Sequence, residues 1–336
     1  MQSGAIGARV SYSAWLKEIA RGDQDAGDLA PEDAGRIFGA MLDGGVPELE
    51  LGALLVALRM KGESVGELLG GYEALCERVH RLEPPAGDVR TVVIGTYGGA
   101  RSQPNLTPLV AVLLRRMGVP VLLHGNLEGH GCVASAYILR ELGVLPSATL
   151  AQAQGALDRE RIAFVPTAVL APGLASLLAL RSRLGIKNTA HLLAPVIDPL
   201  PGASVRLVGV TGPAELARMR ELFLATGERA IVLPGTDGEP FADPRRRPRI
   251  EYFEDGSVHG LFDEEHAPLD GTAVAPLALE AKATAGYIRK VLEGSAPLPM
   301  PIANELACCL FGAGAAVDLN QAKALAAMRA HGFAAA

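Results

Sequence analysis

TVVIGTYGGARSQPNLTPLVAVLLRRMG, residues 91–118, decides the fold. Thr91 to Gly95 is a short, apolar, β-branched run, the pattern of a strand buried on both faces of a parallel sheet. Gly95-Thr96-Tyr97-Gly98-Gly99-Ala100 is a glycine-rich turn, and a helix begins near Asn105. Strand, turn and helix in that order place backbone N–H groups at the carboxyl end of a strand, where α/β sheets bind ligands. Such a turn suits an anion. A tight turn that needs glycine only for its backbone has the same sequence. The motif by itself leaves both readings open.

The alternation continues downstream. VPVLLHG (119–125), IAFVP (162–166), RLVGV (206–210) and RAIVLPG (229–235) read as strands. CVASAYILRELG (132–143), PGLASLLALRSRLG (172–185), KNTAHLLA (187–194) and PAELARMRELFLATG (213–227) read as helices. Regular β–α alternation implies a parallel sheet with right-handed crossovers. RIEYFE and SVHGLF flank Asp255-Gly256, a dipeptide that predicts a hairpin. Helices over 272–294, 301–314 and 318–332 close the chain, the last with Asp318 as its N-cap. Upstream of residue 91 there is no strand pattern. SYSAWLKEIA, PEDAGRIFGAMLDG, PELELGALLVALRMKG and SVGELLGGYEALCERV form a small helical bundle, with Pro31 and Pro47 at helix starts.

Composition agrees with this division. The 336 residues are 49% hydrophobic but only 4% aromatic, as in helix-covered parallel sheets with cores of Ala, Leu and Val. Apolar runs are broken by Gly, Pro or charge before reaching the length of a bilayer span. The first residues lack the pattern of a signal peptide. The expectation is a soluble cytoplasmic protein. Cys76, Cys132, Cys308 and Cys309 form no CxxC and are expected to be buried free thiols. A net charge of −6 argues against a globally basic nucleic-acid binder, though not against a local basic surface.

The turn resembles the donor-binding loop of the anthranilate phosphoribosyltransferases, the TrpD-like proteins of glycosyltransferase family 3, whose pattern is GTGGDGxxTFNxST. GTYGGARSQPNLTP keeps Gly95, Thr96, Gly98 and Asn105, with Thr107 where the family has Ser. The family Asp is Gly99, the Gly after it is Ala100, a Thr is Gln103, and the last Thr is Pro108. A second motif, KHGNRxxSS followed by GSADVLEALG, matches at His124, Gly125, Asn126, Ser135, Ala136, Leu142 and Gly143. Its Lys and Arg are Leu123 and Leu127, which cannot neutralise a phosphate. The third, VHGxDGxDE, carries the acidic pair that handles magnesium on the diphosphate. Here that pair is Pro240-Phe241, and only the neighbouring Asp237 and Glu239 could stand in for it. On the acceptor side Arg181 aligns with the arginine that grips the anthranilate carboxylate.

The resemblance implies a nucleoside phosphorylase/phosphoribosyltransferase-like α/β fold with a small N-terminal helical bundle. It implies a helical domain over 1–70, joined by helices in about 171–194, and an α/β domain over 71–170 and 195–336. The departures resemble the YbiB-type branch, described as nucleic-acid-binding homodimers that pair through the helical domain. The implied function is nucleic-acid binding, of DNA in particular, without phosphoribosyl transfer. The alternative is a transferase with an altered donor site or acceptor. No cofactor is expected, and magnesium only under that alternative.

Candidate nucleic-acid contacts follow charge. Arg245, Arg246, Arg247 and Arg249 are the densest basic run. Lys282, Arg289 and Lys290 share one helical face. Phosphate contacts come chiefly from Arg and Lys. A solvated surface paired with Asp243, Glu251 and Glu254 is the alternative reading. Tyr252, Phe253 and Tyr287 are candidate stacking platforms or core residues. His124, His130 and Cys132 lack the spacing of a zinc site, and Asp263-Glu264-Glu265-His266 reads as a solvated turn.

Overall fold

The structure is a computed structural model that describes residues 12–21, 26–129, 131–265 and 278–332. Its first elements are α1 (Tyr12–Ile19), α2 (Pro31–Leu42), α3 (Glu48–Lys61) and α4 (Val65–Cys76). The middle runs β1 (Thr91–Thr96), α5 (Thr107–Arg116), β2 (Val121–Gly125), α6 (Ser135–Glu141), α7 (Leu150–Glu160), β3 (Ile162–Pro166), α8 (Thr167–Leu170), α9 (Pro172–Ala179), α10 (Arg181–Leu184) and α11 (Thr189–Leu193). Then come β4 (Ser204–Val210), α12 (Pro213–Thr226), β5 (Ala230–Pro234), β6 (Ile250–Glu254), β7 (Ser257–Phe262), α13 (Ala281–Leu292), α14 (Met300–Gly312) and α15 (Leu319–Gly332).

The chain divides into two compact units. The first comprises residues 1–78 and 176–193, the second residues 79–175 and 194–336. Helix α4 runs unbroken through residue 70, where the sequence placed a boundary. In the first unit α2 packs along α4, and Ile37, Phe38, Leu54, Leu55, Leu68 and Leu75 are buried. A capping box starts α4: the Ser64 side chain accepts from the Glu67 N–H, and Glu67 accepts from the Ser64 N–H. Helix α3 is apolar on two sides. Leu54, Leu55 and Leu58 face the core, while Leu49 and Met60 are 82% and 73% exposed, with Val56 between them on the same stripe.

The second unit is built on a seven-stranded sheet of order β3-β2-β1-β4-β5-β6-β7. β1 to β5 are parallel, and β6 and β7 add antiparallel at one edge. β1 to β4 are buried along their whole lengths, so they read as continuous apolar runs rather than alternating ones. The Asp255-Gly256 hairpin forms, with positive φ at both residues (48° and 72°). The Gln321 N–H donates to the Asp318 carboxylate, the expected cap of α15. Helix α7 was not read from the sequence. The helix expected from residue 272 begins at Ala281, and residues 266–277 lie outside the described residues. Cys308 and Cys309 are buried, whereas Cys76 and Cys132 are half-buried, contrary to expectation; none of the four is in a disulfide. Among the described residues no helix is long and apolar enough to cross a membrane.

Candidate functional site: a glycine turn filled by the chain's own carboxyl

Strand order reverses between β1 and β4, so the turn after β1 lies at the point where open α/β sheets bind ligands. Only glycine suits its tightest positions. Gly99 has φ 66°, and a Cβ there would lie 2.7 Å from Cys132 Cβ. A Cβ on Gly95 would meet Pro195 Cα at 2.7 Å.

Glu239, with 0% exposure, occupies this turn. The N–H groups of Gly98 and Gly99 each donate to Glu239 Oε1 at 2.8 Å. Thr96 Oγ1 donates to Oε2 at 2.6 Å and Thr107 Oγ1 at 3.1 Å. Asn105 Nδ2 and Ser135 Oγ reach the same oxygen at 3.4 Å. Thus Thr96, Gly98, Gly99, Asn105 and Thr107, expected to form an anion site, do converge on a carboxyl, and it belongs to the chain itself. Ser135, noted only as a motif match, joins them.

A tight reversal after β5 delivers Glu239. Its N–H donates to the Thr236 carbonyl at 2.9 Å, across Asp237 (φ 54°) and Gly238 (φ 85°). The backbone then passes close to the sheet: a Cβ on Gly209 would lie 2.7 Å from the Glu239 carbonyl oxygen, and one on Gly235 would clash with it outright. Asp237 fastens the other side. Its Oδ2 accepts from the Arg101 N–H at 2.7 Å and from the Ser102 N–H and Oγ at 2.9 and 3.0 Å. Burial pushes the Asp237 carboxyl up, but these donors hold it below its usual range.

Of the remaining residues expected at the site, His124, Gly125 and Asn126 lie beside it. His124 is fully buried; its Nδ1 pairs with the Tyr97 hydroxyl at 2.8 Å, and its Nε2 has no partner among the described residues. Burial pushes its pKa down to about 3, so the ring is neutral at physiological pH. Tyr97 stands where the family pattern has glycine, and it fills space beside the turn. Gly125 is packed against the Thr96 carbonyl, where a Cβ would clash with the oxygen. Asn126 accepts from Thr167 Oγ1 at 3.3 Å. Arg181 opens α10 in the other compact unit, half-buried.

These residues do not fit magnesium. Phe241, in the place of a metal carboxylate, is buried in the apolar core. Both oxygens of Glu239 and Oδ2 of Asp237 face hydrogen-bond donors rather than a shared cation position. Among the described residues no three His, Cys, Asp or Glu side chains could hold a metal ion. His130 and His266 lie outside the described residues.

The basic run is partly neutralised. Arg245 is bidentate to Asp243, and Nε of Arg249 lies 2.7 Å from Glu251. Arg247 covers the Phe262 ring and donates to the Asp263 carbonyl. Arg245 and Arg246 are exposed and, with Pro234, Gly235, Asp243 and Glu264, line a cavity of about 540 Å³. On α13, Lys282, Arg289 and Lys290 are exposed opposite the buried Ala285, Ile288 and Leu292, and Arg289 donates to the Glu141 carbonyl. Tyr252 and Phe253 are core residues, 4% and 0% exposed, which removes them as stacking platforms. Tyr287 is half-buried.

Residues 14–79 match the glycosyl transferase family helical bundle domain, and residues 90–334 match that family's a/b domain. A protein of Escherichia coli (strain K12), named uncharacterized protein YbiB, is 38% identical over 93% of this chain and 97% of its own length. The anthranilate phosphoribosyltransferase of Methylocella silvestris is 29% identical over 89% and 86% of the two chains. The crystal structure of anthranilate phosphoribosyltransferase from Thermus thermophilus superposes with a TM-score of 0.75, at 25% identity, over 95% of each chain.

Proposed function

The chain belongs to the glycosyl transferase family of this helical bundle and a/b domain, and from that premise we propose that it binds nucleic acid and does not transfer phosphoribosyl groups. The observation that carries the reading is Glu239. The hydrogen-bond donors that a diphosphate would need already converge on the chain's own carboxyl. The cationic positions of the family pattern are Leu123 and Leu127. A diphosphate placed there would meet a buried carboxyl and no compensating charge.

Support for the nucleic-acid partner lies on the outer surface of the same unit. Arg245 and Arg246 are exposed beside the filled turn, and α13 presents Lys282, Arg289 and Lys290. Guanidinium and ammonium groups on exposed side chains suit backbone phosphates, and such binding weakens as salt rises. The partner is DNA in this reading. Support for a homodimer is the stripe of Leu49, Val56 and Met60 on α3, which would be covered in a two-fold pair. No cofactor is required by this function, and the location is the cytoplasm.

The test is a titration against single- and double-stranded DNA at two salt concentrations. The reading predicts binding at low salt that falls as salt rises. Charge reversal by Arg245→Glu with Arg246→Glu weakens it about tenfold or more for every sequence tried, and it flattens the salt dependence by roughly one to two ion equivalents. Binding that is absent at low salt, or indifferent to salt, contradicts the proposal.

A further inference from the structure

The cradle around Glu239 contains no charged donor. Two backbone N–H groups address one oxygen, and two threonine hydroxyls, with Asn105 and Ser135 at longer range, address the other. A phosphoryl group presents acceptor oxygens of the same kind, so it competes with a carboxyl for these donors. From this geometry we infer that the Glu239 carboxyl is an intramolecular occupant that keeps the turn closed to phosphate-bearing small molecules, and that this one side chain sets what the site accepts. The inference rests on the reading above that the protein transfers no phosphoribosyl group.

Three features make the closure part of the fold. The Thr236 to Glu239 reversal uses positive φ at Asp237 and Gly238, and a Cβ at Gly238 would strike Thr211 Cγ2 at 2.7 Å. Gly209 and Gly235 leave room for the Glu239 carbonyl, which a side chain at either would occupy. Asp237 ties the same reversal to Arg101 and Ser102 on the far side of the turn. A tethered group acts at an effective concentration in the millimolar range or above. Free phosphate at lower concentration therefore loses to it. Glu239 also carries no cost of association, because the chain's folding has already positioned it.

The experiment titrates inorganic diphosphate, without metal and at constant ionic strength, into three proteins. They are the intact chain, Glu239→Ala, and Gly238→Ala, which keeps the carboxyl but strains the reversal that delivers it. Thermal shift and phosphorus NMR line width are the readouts. The expected result is no saturable effect in the intact chain. Glu239→Ala should bind at least about tenfold more tightly, with a melting temperature that rises as diphosphate is added, and Gly238→Ala should fall between the two. If Glu239→Ala melts cooperatively and binds no better than the intact chain, the inference is wrong. Saturable binding by the intact chain equal to that of Glu239→Ala also overturns it. Where Glu239→Ala does not fold, Gly238→Ala decides by the same criterion. DNA titration of the same samples separates this inference from the proposed function. Absence of DNA binding by the intact chain refutes the nucleic-acid reading and leaves the diphosphate comparison standing; a failed diphosphate comparison with DNA binding present refutes the inference and leaves the nucleic-acid reading standing.

Discussion

Two carboxyl groups in the same unit, Glu239 and Glu305, are both 0% exposed, and they meet very different surroundings. A short stretch of chain connects them: Glu239 enters the glycine turn, and three residues later the Ala242 N–H donates to Glu305 Oε2 at 2.8 Å. Glu239 is surrounded by donors on both oxygens. Glu305 has that one N–H, and its Oε1 has no partner among the described residues. Burial pushes the Glu305 pKa up to about 8, and the Ala242 N–H opposes this only in part. Burial alone therefore does not define an anion site. Converging donors do, and this chain has assembled them at one position and withheld them at the other.

The comparison can be broken most forcefully at Glu239. Replacing it with Ala takes the acceptor from the Gly98 and Gly99 N–H groups and from the Thr107 hydroxyl, while Thr96 Oγ1 keeps Ser135 Oγ at 2.7 Å. The expected loss is about 3 kcal/mol of unfolding free energy, read from the denaturant midpoint at neutral pH. A loss below about 0.5 kcal/mol would mean that the donors find water easily and the site is not closed.

The smaller effect is at Glu305, and its sign depends on pH. The folded pKa of about 8 lies above the ordinary 4.5, so the folded chain holds this proton more tightly than the unfolded chain. The contribution is therefore intact below about pH 4.5, declines as pH rises toward about 8, and is fully lost above it. Glu305→Gln removes this decline. It should stabilise the protein by roughly 2 kcal/mol at alkaline pH relative to the parent and much less near the acid end of that range. Melting curves across the range check it, and parallel pH profiles for the two proteins would contradict it.

The fold was legible where the determinants are local. The strand at 91–96, the turn, the parallel alternation and the Asp255-Gly256 hairpin each follow from a few adjacent residues. Helix α7 was missed because it buries only Ala153 and Leu157, too few apolar positions to set a period. The role of Glu239 was not legible. Its donors come from Thr96, Gly98, Gly99, Asn105, Thr107 and Ser135, all more than a hundred residues earlier in the chain. The available local signal was Asp237-Gly238, the same dipeptide that marked the hairpin at Asp255-Gly256. It announces a reversal but not what the next side chain will reach. Part of the pairing of the basic run was legible, because Asp243 and Glu251 lie two residues from Arg245 and Arg249, with which they pair.

The most direct measurement is calorimetric titration of the intact chain with phosphoribosyl diphosphate and magnesium. With Glu239 in the turn and Pro240-Phe241 in the place of the metal carboxylates, no saturable heat and no dependence on magnesium are expected. Saturable, magnesium-dependent binding would contradict it and identify the protein as a working transferase with an altered donor site.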